Sequence, residues 1–243
     1  MRILVVADVH SNLAALRAVI ADADSGGAID RIWCLGDTVG YGPEPNECVE
    51  VLRLYPLRAT AGNHDLAAAG LLSTEDFNLY AAEAVGWTST QLNDEARAWL
   101  SSLPNTLIDG DFTLVHGALT DPIWDYLITQ RDAERHLNLQ KTPYGLVGHS
   151  HLPLTFLRLG RALRGTPLSD GDIITLNGIT FVANPGSVGQ PRDGDPRAAY
   201  AIVDTDASYI SFHRVIYDIE ATQKKIVAAG LPEYLAERLE KGR

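Results

Sequence analysis

The stretch RILVVADVHSNLAALRAVIADA, residues 2–23, decides how the chain is read. Residues 3–7, ILVVA, form a short run without a polar side chain, the pattern of a strand covered on both faces. The run breaks at Asp8. From Asn12 onward Leu13, Leu16, Val19 and Ile20 recur at helical spacing, which predicts a helix over 12–23. A buried strand running into an amphipathic helix opens a βαβ unit, and the unit repeats. RIWCLG (31–36) predicts a second strand, NECVEVLRLY (46–55) a second helix entered after Pro43 and Pro45, and LRAT (57–60) a third strand. This order predicts a parallel sheet with right-handed crossovers, whose ligand chemistry belongs at the carboxyl ends of the strands.

Beyond this unit, Leu66 to Ser102 is alanine-rich and reads as helical, with Trp87, Leu92, Trp99 and Leu100 as core residues. After Pro104 the texture changes to short strands, TLID (106–109) and FTLVHG (112–117). A helical excursion over about 124–139, within the segment 118–140, leads to a strand at Tyr144 to Val147. LTFLRL, DIITL, ITFVA, AAYAIVD and YISFHRVIY then give a strand-rich second half, closed by a helix at 219–228 that resumes after Pro232. There is no internal repeat, low-complexity linker or charge block, so the expectation is one domain over residues 1–243, built on two sheets.

Composition narrows the function classes. With 46% hydrophobic and 21% charged residues the chain is ordinary globular protein, and no apolar run approaches the roughly 20 residues of a membrane helix. The N-terminal apolar run is too short for a secretory signal, so a cytoplasmic location is expected. Cys34 and Cys48 fall in an apolar run and a predicted helix, and read as packed thiols rather than a disulfide framework. A net charge of −11 disfavours non-specific binding to nucleic acid, yet leaves room for a small phosphorylated substrate held by a local cluster of cations.

The polar residues that follow the predicted strands form a second pattern: Asp8-Val-His10, Gly36-Asp37, Gly62-Asn63-His64-Asp65, His116-Gly117 and Gly148-His149-Ser-His151. Each alone is a common cap or turn residue. Together they hold five of the seven histidines, leaving only His136 and His213 elsewhere. Imidazoles mixed with carboxylates suit borderline transition metals, and no cysteine biases the set toward soft ones. Asp8, His10, Asp37, Asn63, His116, His149 and His151 offer more ligands than one tetrahedral ion uses. Two ions about 3.5–4 Å apart, bridged by a carboxylate and a water, would use them all. Two divalent ions against the two carboxylates leave a positive surplus, which a phosphate satisfies.

The ordered set D-x-H, G-D, G-N-H-D, H-G and G-H-x-H resembles the calcineurin-like metallophosphoesterase superfamily. The resemblance spans Asp8 to His151, and ITFVANPGSVGQPRDG (179–194) resembles the end of its small single-domain bacterial and archaeal branch. It implies an α/β (α+β) fold of two mixed β-sheets packed as a sandwich and flanked by helices. It also implies that Asp8, His10 and His151 hold one metal, that Asn63, His116 and His149 hold the second, and that Asp37 bridges both. His64 would donate a proton to the leaving group and Asp65 would orient it. The expected cofactors are two divalent ions, manganese first, with iron, zinc or nickel as the other choices.

The implied reaction is hydrolysis of a phosphoester by a metal-bound hydroxide, with a phosphodiester or nucleotide-like substrate preferred. GDTVGYGPEP lacks the arginine of the G-D-x-x-D-R-G run in protein serine/threonine phosphatases, which sets a phosphoprotein phosphatase behind a phosphodiesterase. A phosphomonoesterase on the same site, and a protein-interaction scaffold resembling the small retromer subunit, are the alternatives. Tyr41, Trp124, Tyr126 and Arg192 are pocket candidates without an assigned role. In NPGSVGQPRDG, Gly186 and Gly189 read either as a phosphate-approaching backbone or as a plain turn.

Overall fold

A computed structural model describes residues 1–243. Three strands, β1 (Arg2–Val6), β2 (Arg31–Cys34) and β3 (Leu57–Ala59), pair in parallel, joined by α1 (Leu13–Ser25) and α2 (Pro45–Arg53). Asn12 caps α1 by accepting from Ala15 N, and Pro45 opens α2 at the position where its missing N–H costs nothing. Beyond β1 the sheet turns antiparallel through β11 (Ala198–Asp204), β12 (Tyr209–Val215) and β9 (Ile173–Thr175), giving the order β3-β2-β1-β11-β12-β9.

The second six-stranded sheet has the order β4-β5-β6-β10-β7-β8. Its members are β4 (Thr106–Asp109), β5 (Phe112–Val115), β6 (Tyr144–Leu146), β10 (Phe181–Asn184), β7 (Leu154–Leu159) and β8 (Ala162–Pro167). Both sheets mix parallel and antiparallel pairs, as the resemblance implied.

The period of two along β1 explains the layering. Ile3 and Val5 point between the sheets and pack with Trp33, Leu114, Leu146 and Phe181; Leu4 and Val6 point outward onto Leu16 and Ile20 of α1. The outer face of the second sheet, Val115, Val147, Val182 and Phe156, is covered by Ala133 and Leu137 of α6 (Gln130–Leu139). Two layers of helix thus enclose two sheets, and β1, β2, β5 and β6, which lead into the site, are almost wholly buried. No helix is long and apolar enough to cross a membrane.

Three expectations change in detail. The alanine-rich stretch is not continuous helix but α3 (Asn63–Ala68), α4 (Leu79–Gln91) and α5 (Asp94–Ser101), because Gly70 adopts φ 85° and Asn78 and Asn93 each start a new helix as a cap. The excursion expected from residue 124 is helical only from Gln130. Asp121 Oδ1 accepts from Ile123 N and Trp124 N, which holds the preceding segment in a turn, and Thr129 with Asp132 forms the capping box of α6. Strand β8 had no sequence signal: as an edge strand it pairs only with β7, and most of its residues are exposed. Two C-terminal helices, α7 (Ile219–Ala228) and α8 (Glu233–Glu237), flank Pro232 as the sequence predicts.

His136, on α6, shows what burial does to an imidazole away from the site. Its Nδ1 accepts from Leu119 N at 3.1 Å, and its Nε2 meets Gln140 Oε1 at 3.2 Å. Burial lowers its pKa to about 4. Since the unfolded ring titrates near 6.5, the unfolded chain binds the extra proton between these values, and stability is lost as pH falls from about 6.5 to 4. Between pH 7 and 5 the native protein is expected to lose about 2 kcal/mol more stability than His136→Gln. Urea denaturation of both proteins at the two pH values measures this, and equal losses would refute it.

Candidate metal centre

The seven ligand candidates arrive on loops at the carboxyl ends of β1, β2, β5 and β6 and on the first turn of α3. All seven are buried, each 4% exposed or less. Their backbone is strained in one place. Of eight non-glycine residues with positive φ, five are Asp8, His10, Asp37, His149 and His151, two are their neighbours Ser11 and Tyr41, and only Ser208 lies elsewhere. Such conformations cost of order 1–3 kcal/mol each and persist only where the surroundings over-determine them. Here the loops lock one another: Asp8 N donates to Gly36 O at 3.1 Å, His10 N to Asp37 O at 3.0 Å, and His149 N to Asp8 Oδ1 at 3.1 Å.

The side chains gather in two sets. In the first, His10 Nε2 lies 3.1 Å from His151 Nε2, and His151 Nε2 lies 3.5 Å from Asp8 Oδ1. In the second, His116 Nε2 lies 3.1 Å from both His149 Nδ1 and Asn63 Oδ1. Asp37 joins them: its Oδ2 is 3.6 Å from His10 Nε2 and 3.4 Å from His116 Nε2. Ligand atoms about 2.1 Å from one ion lie roughly 3.0–3.4 Å apart, so these separations suit shared cations.

The far side of each ring shows that the facing nitrogens carry lone pairs. Nδ1 of His10, His116 and His151 meets the carbonyls of Val39 at 3.1 Å, Leu35 at 2.9 Å and Gln190 at 2.6 Å. A carbonyl only accepts, so each Nδ1 carries the proton and each Nε2 is bare. His149 is reversed: its Nε2 meets Trp124 O at 3.2 Å, leaving Nδ1 as the facing atom. Two bare nitrogens 3.1 Å apart repel unless a cation lies between them. Asp8 Oδ2 is likewise buried with no partner. The donor set therefore fits divalent metal ions.

Burial also acts on charge. It raises Asp8, a shift to which the nearby Asp37 charge adds, and pushes Asp37 and Asp65 up to about 8. It holds His10, His64, His149 and His151 well below the ordinary imidazole value and brings His116 to about 4. A pocket that penalises free carboxylate charge and keeps imidazoles neutral favours cation binding, because the ion supplies the missing countercharge.

Hydrogen bonds place two neighbouring segments. Asp65 does not touch the His64 ring; its carboxylate accepts from Val39 N and Gly62 N, both at 3.1 Å, and caps α3. Val39 belongs to the 37–41 loop, whose Gly40 lies so close to His64 that a Cβ there would overlap Nδ1. Of the two readings of NPGSVGQ, the hydrogen bonds favour the turn. Gly189 N donates to Asp8 O and Gly186 N to Asn184 Oδ1, while Ser187 Oγ also donates to Asp8 O, so the segment braces the β1 loop. His64, together with His10 and Asp37, forms a third close set, so its expected role as a non-ligand rests on the resemblance.

Above the polar residues lies a cavity of about 70 Å³. Tyr41, Trp124, Tyr126 and Arg192 all line it, and so do Phe77 and Asn78, which the sequence reading missed. Tyr126 stacks on His149 with centroids 4.1 Å apart, and Phe77 stands edge-on to both His64 and Trp124. Phe77 carried no signal because a lone aromatic in a helical stretch reads as core.

Comparison with known proteins agrees with this geometry. The protein MJ0912 of Methanocaldococcus jannaschii, an uncharacterised protein, is 41% identical over 99% of this chain and 98% of its own length. A crystal structure of a metallophosphoesterase from Sphaerobacter thermophilus superposes with a TM-score of 0.90 at 47% identity, covering 100% of this chain and 99% of that one. A symmetrical bis(5'-nucleosyl)-tetraphosphatase of Pectobacterium atrosepticum is 29% identical over 59% of this chain, which spans 53% of that protein. The family model of the calcineurin-like phosphoesterase superfamily domain matches residues 1–208. With its clustered imidazoles and carboxylates at strand ends and its paired mixed sheets, the chain belongs to the calcineurin-like phosphoesterase superfamily, hydrolases of phosphoester bonds.

Proposed function

We propose that the protein hydrolyses a phosphodiester bond in a small nucleotide-like substrate with the help of two divalent metal ions, manganese preferred. The observation that carries the reading is the position of Asp37 Oδ2 between two sets of bare imidazole nitrogens, 3.6 Å from His10 and 3.4 Å from His116. Asp8, His10 and His151 would hold one ion, Asn63, His116 and His149 the other, and Asp37 both. Bound there, the ions supply Lewis acidity, which polarises phosphoryl oxygens and lowers the pKa of water near neutrality.

The chain's own residues do the rest. The carbonyls of Leu35, Val39, Gln190 and Trp124 hold the imidazoles in the tautomer that presents lone pairs. His64 lines the cavity with Nδ1 covered by Gly40, leaving Nε2 to donate a proton to the leaving oxygen. The balance is that of hydrolysis: phosphorus gains the hydroxyl of water and the leaving oxygen gains the proton. An arriving phosphate places negative charge beside His64 and opposes the burial that holds its pKa down, so protonation follows substrate binding. Phe77, Trp124 and Tyr126 line the cavity with aromatic surface that suits an aromatic substituent on the phosphate. The partial similarity to a dinucleoside tetraphosphatase supports the nucleotide-like character of the substrate.

The test is hydrolysis of matched nitrophenyl phosphodiester and monoester substrates by metal-stripped protein refilled with manganese. Manganese-dependent diester cleavage is expected. A monoester preference would replace the reading with a phosphatase, and no turnover with any of several metals would favour a scaffold.

A further inference from the structure

Arg192 belongs to two cavities at once. It lines the catalytic cavity, and it also lines an adjoining groove of about 430 Å³ bounded by Tyr41, Tyr80, Tyr234 and Arg238. The groove's volume falls in the range of small-molecule sites. Tyr234 and Arg238 come from α8 and the residue that follows it, outside the part of the chain matched by the family model.

The groove gathers positive charge in a protein of net charge −11. The guanidinium carbons of Arg192 and Arg238 lie 6.0 and 5.9 Å from the centre of the same Tyr41 ring. Neither arginine pairs with an aspartate or glutamate side chain. Arg192 donates only to Gln190 Oε1, at 3.0 Å, and its Nε is buried with no acceptor. Arg238 Nε donates to the main-chain oxygen of Arg243, the last residue of the sequence. Burial, and then the charge of Arg192, pulls Arg238 below its ordinary pKa. Of the other residues lining the groove, none is acidic; Asp76 faces only the catalytic cavity. Two guanidiniums against one tyrosine ring, neither paired with an acidic side chain, make a site for an external anion.

At the outer end Arg238 lies 5.5 Å from the Tyr234 ring, which stacks on Tyr80 with centroids 4.8 Å apart. Both tyrosines stay 41–45% exposed although they are large and partly apolar. An exposed aromatic pair next to an anion site is a platform for a planar base.

On the footing of the hydrolase reading above, we infer that this groove is a second subsite for a nucleotide carrying two or more phosphates. The reacting phosphate lies at the metal ligands, the next on Arg192 and Arg238, and the base on the Tyr80–Tyr234 pair. The subsite thereby selects substrates by phosphate number and by base, two features that the metal ligands do not read.

The test is equilibrium binding of ADP, AMP and inorganic pyrophosphate to the manganese-loaded protein by calorimetry. ADP is expected to bind at least tenfold more tightly than AMP. R238Q is expected to reduce that ADP-to-AMP ratio about tenfold, and Y234A to weaken ADP at least fivefold with little change for pyrophosphate. R53Q, in an ion pair with Glu95 away from the groove, serves as the control and leaves the ratio unchanged. A native ratio near one, or a ratio that survives R238Q, overturns the subsite even if the enzyme is active on nitrophenyl diesters. An enzyme inactive on every phosphoester whose ADP binding still depends on Arg238 overturns the hydrolase reading and supports the subsite.

Discussion

Asp37→Asn is expected to cut metal-dependent turnover on the order of 1000-fold, since loss of Lewis-acid stabilisation is worth several kcal/mol at about 1.4 kcal/mol per tenfold. Its Oδ2 is the atom that lies between the two imidazole sets, and an amide oxygen there contributes no negative charge. The fold should survive, because Asn can still accept the 2.9 Å hydrogen bond from His64 N at the start of α3. Stability without metal gives a second readout with a definite sign. Burial pushes Asp37 up to about 8, above its value of 3.8 when unfolded. Between those values the folded state holds a proton that the unfolded state has released, so stability falls as pH rises from about 4 to 8. Asn carries no such cost. Metal-free Asp37→Asn should therefore melt at or above the native Tm at pH 8, and the advantage should shrink toward pH 4. Manganese should raise the Tm of the native protein far more than that of the variant. A variant that keeps both its turnover and its manganese-induced rise in Tm would remove Asp37 from the centre.

His64→Ala is expected to lower turnover by about 100- to 10,000-fold on an ester with a poor leaving group, and much less on a nitrophenyl ester. A good leaving group departs without a proton, so the gap between the two substrates isolates proton donation from general damage. His64 packs against Tyr41 and Phe77, with ring centroids 4.4 and 5.0 Å away, so the alanine leaves a void; His64→Gln, closer in volume, is the companion variant. Both should keep the manganese-induced rise in Tm. If instead that rise is lost, His64 acts as a ligand in the set it forms with His10 and Asp37. If turnover on the poor leaving group is unchanged, the proton comes from elsewhere.

Much of this centre was legible in one dimension because its parts sit at strand ends. A buried parallel strand shows as an unbroken apolar run, and the first polar residue after it marks the carboxyl edge of the sheet, so Asp8, Asp37 and His116 could be placed before any coordinates were known. Where that logic had no purchase, the sequence reading went astray. The 118–129 segment looked helical, yet the side chain of Asp121 turns it back and delivers the Trp124 carbonyl to His149. Asp65 sits beside His64 in sequence, but the geometry of α3 sends its carboxylate to Val39 and Gly62 instead.

By itself, the sequence determined the alternation of strand and helix, the types of the candidate ligands and the edge of the sheet at which they gather. These follow from local rules: hydrophobic period, caps, and side-chain chemistry at fixed offsets. Only the tertiary structure decided which nitrogen each histidine presents, because the carbonyls that fix the tautomers lie 25 to 81 residues away in the chain. It alone brought Arg238 from the C-terminal helices onto Tyr41 and Arg192. Contacts of that length depend on the packing of whole layers, and no local pattern in the chain encodes them.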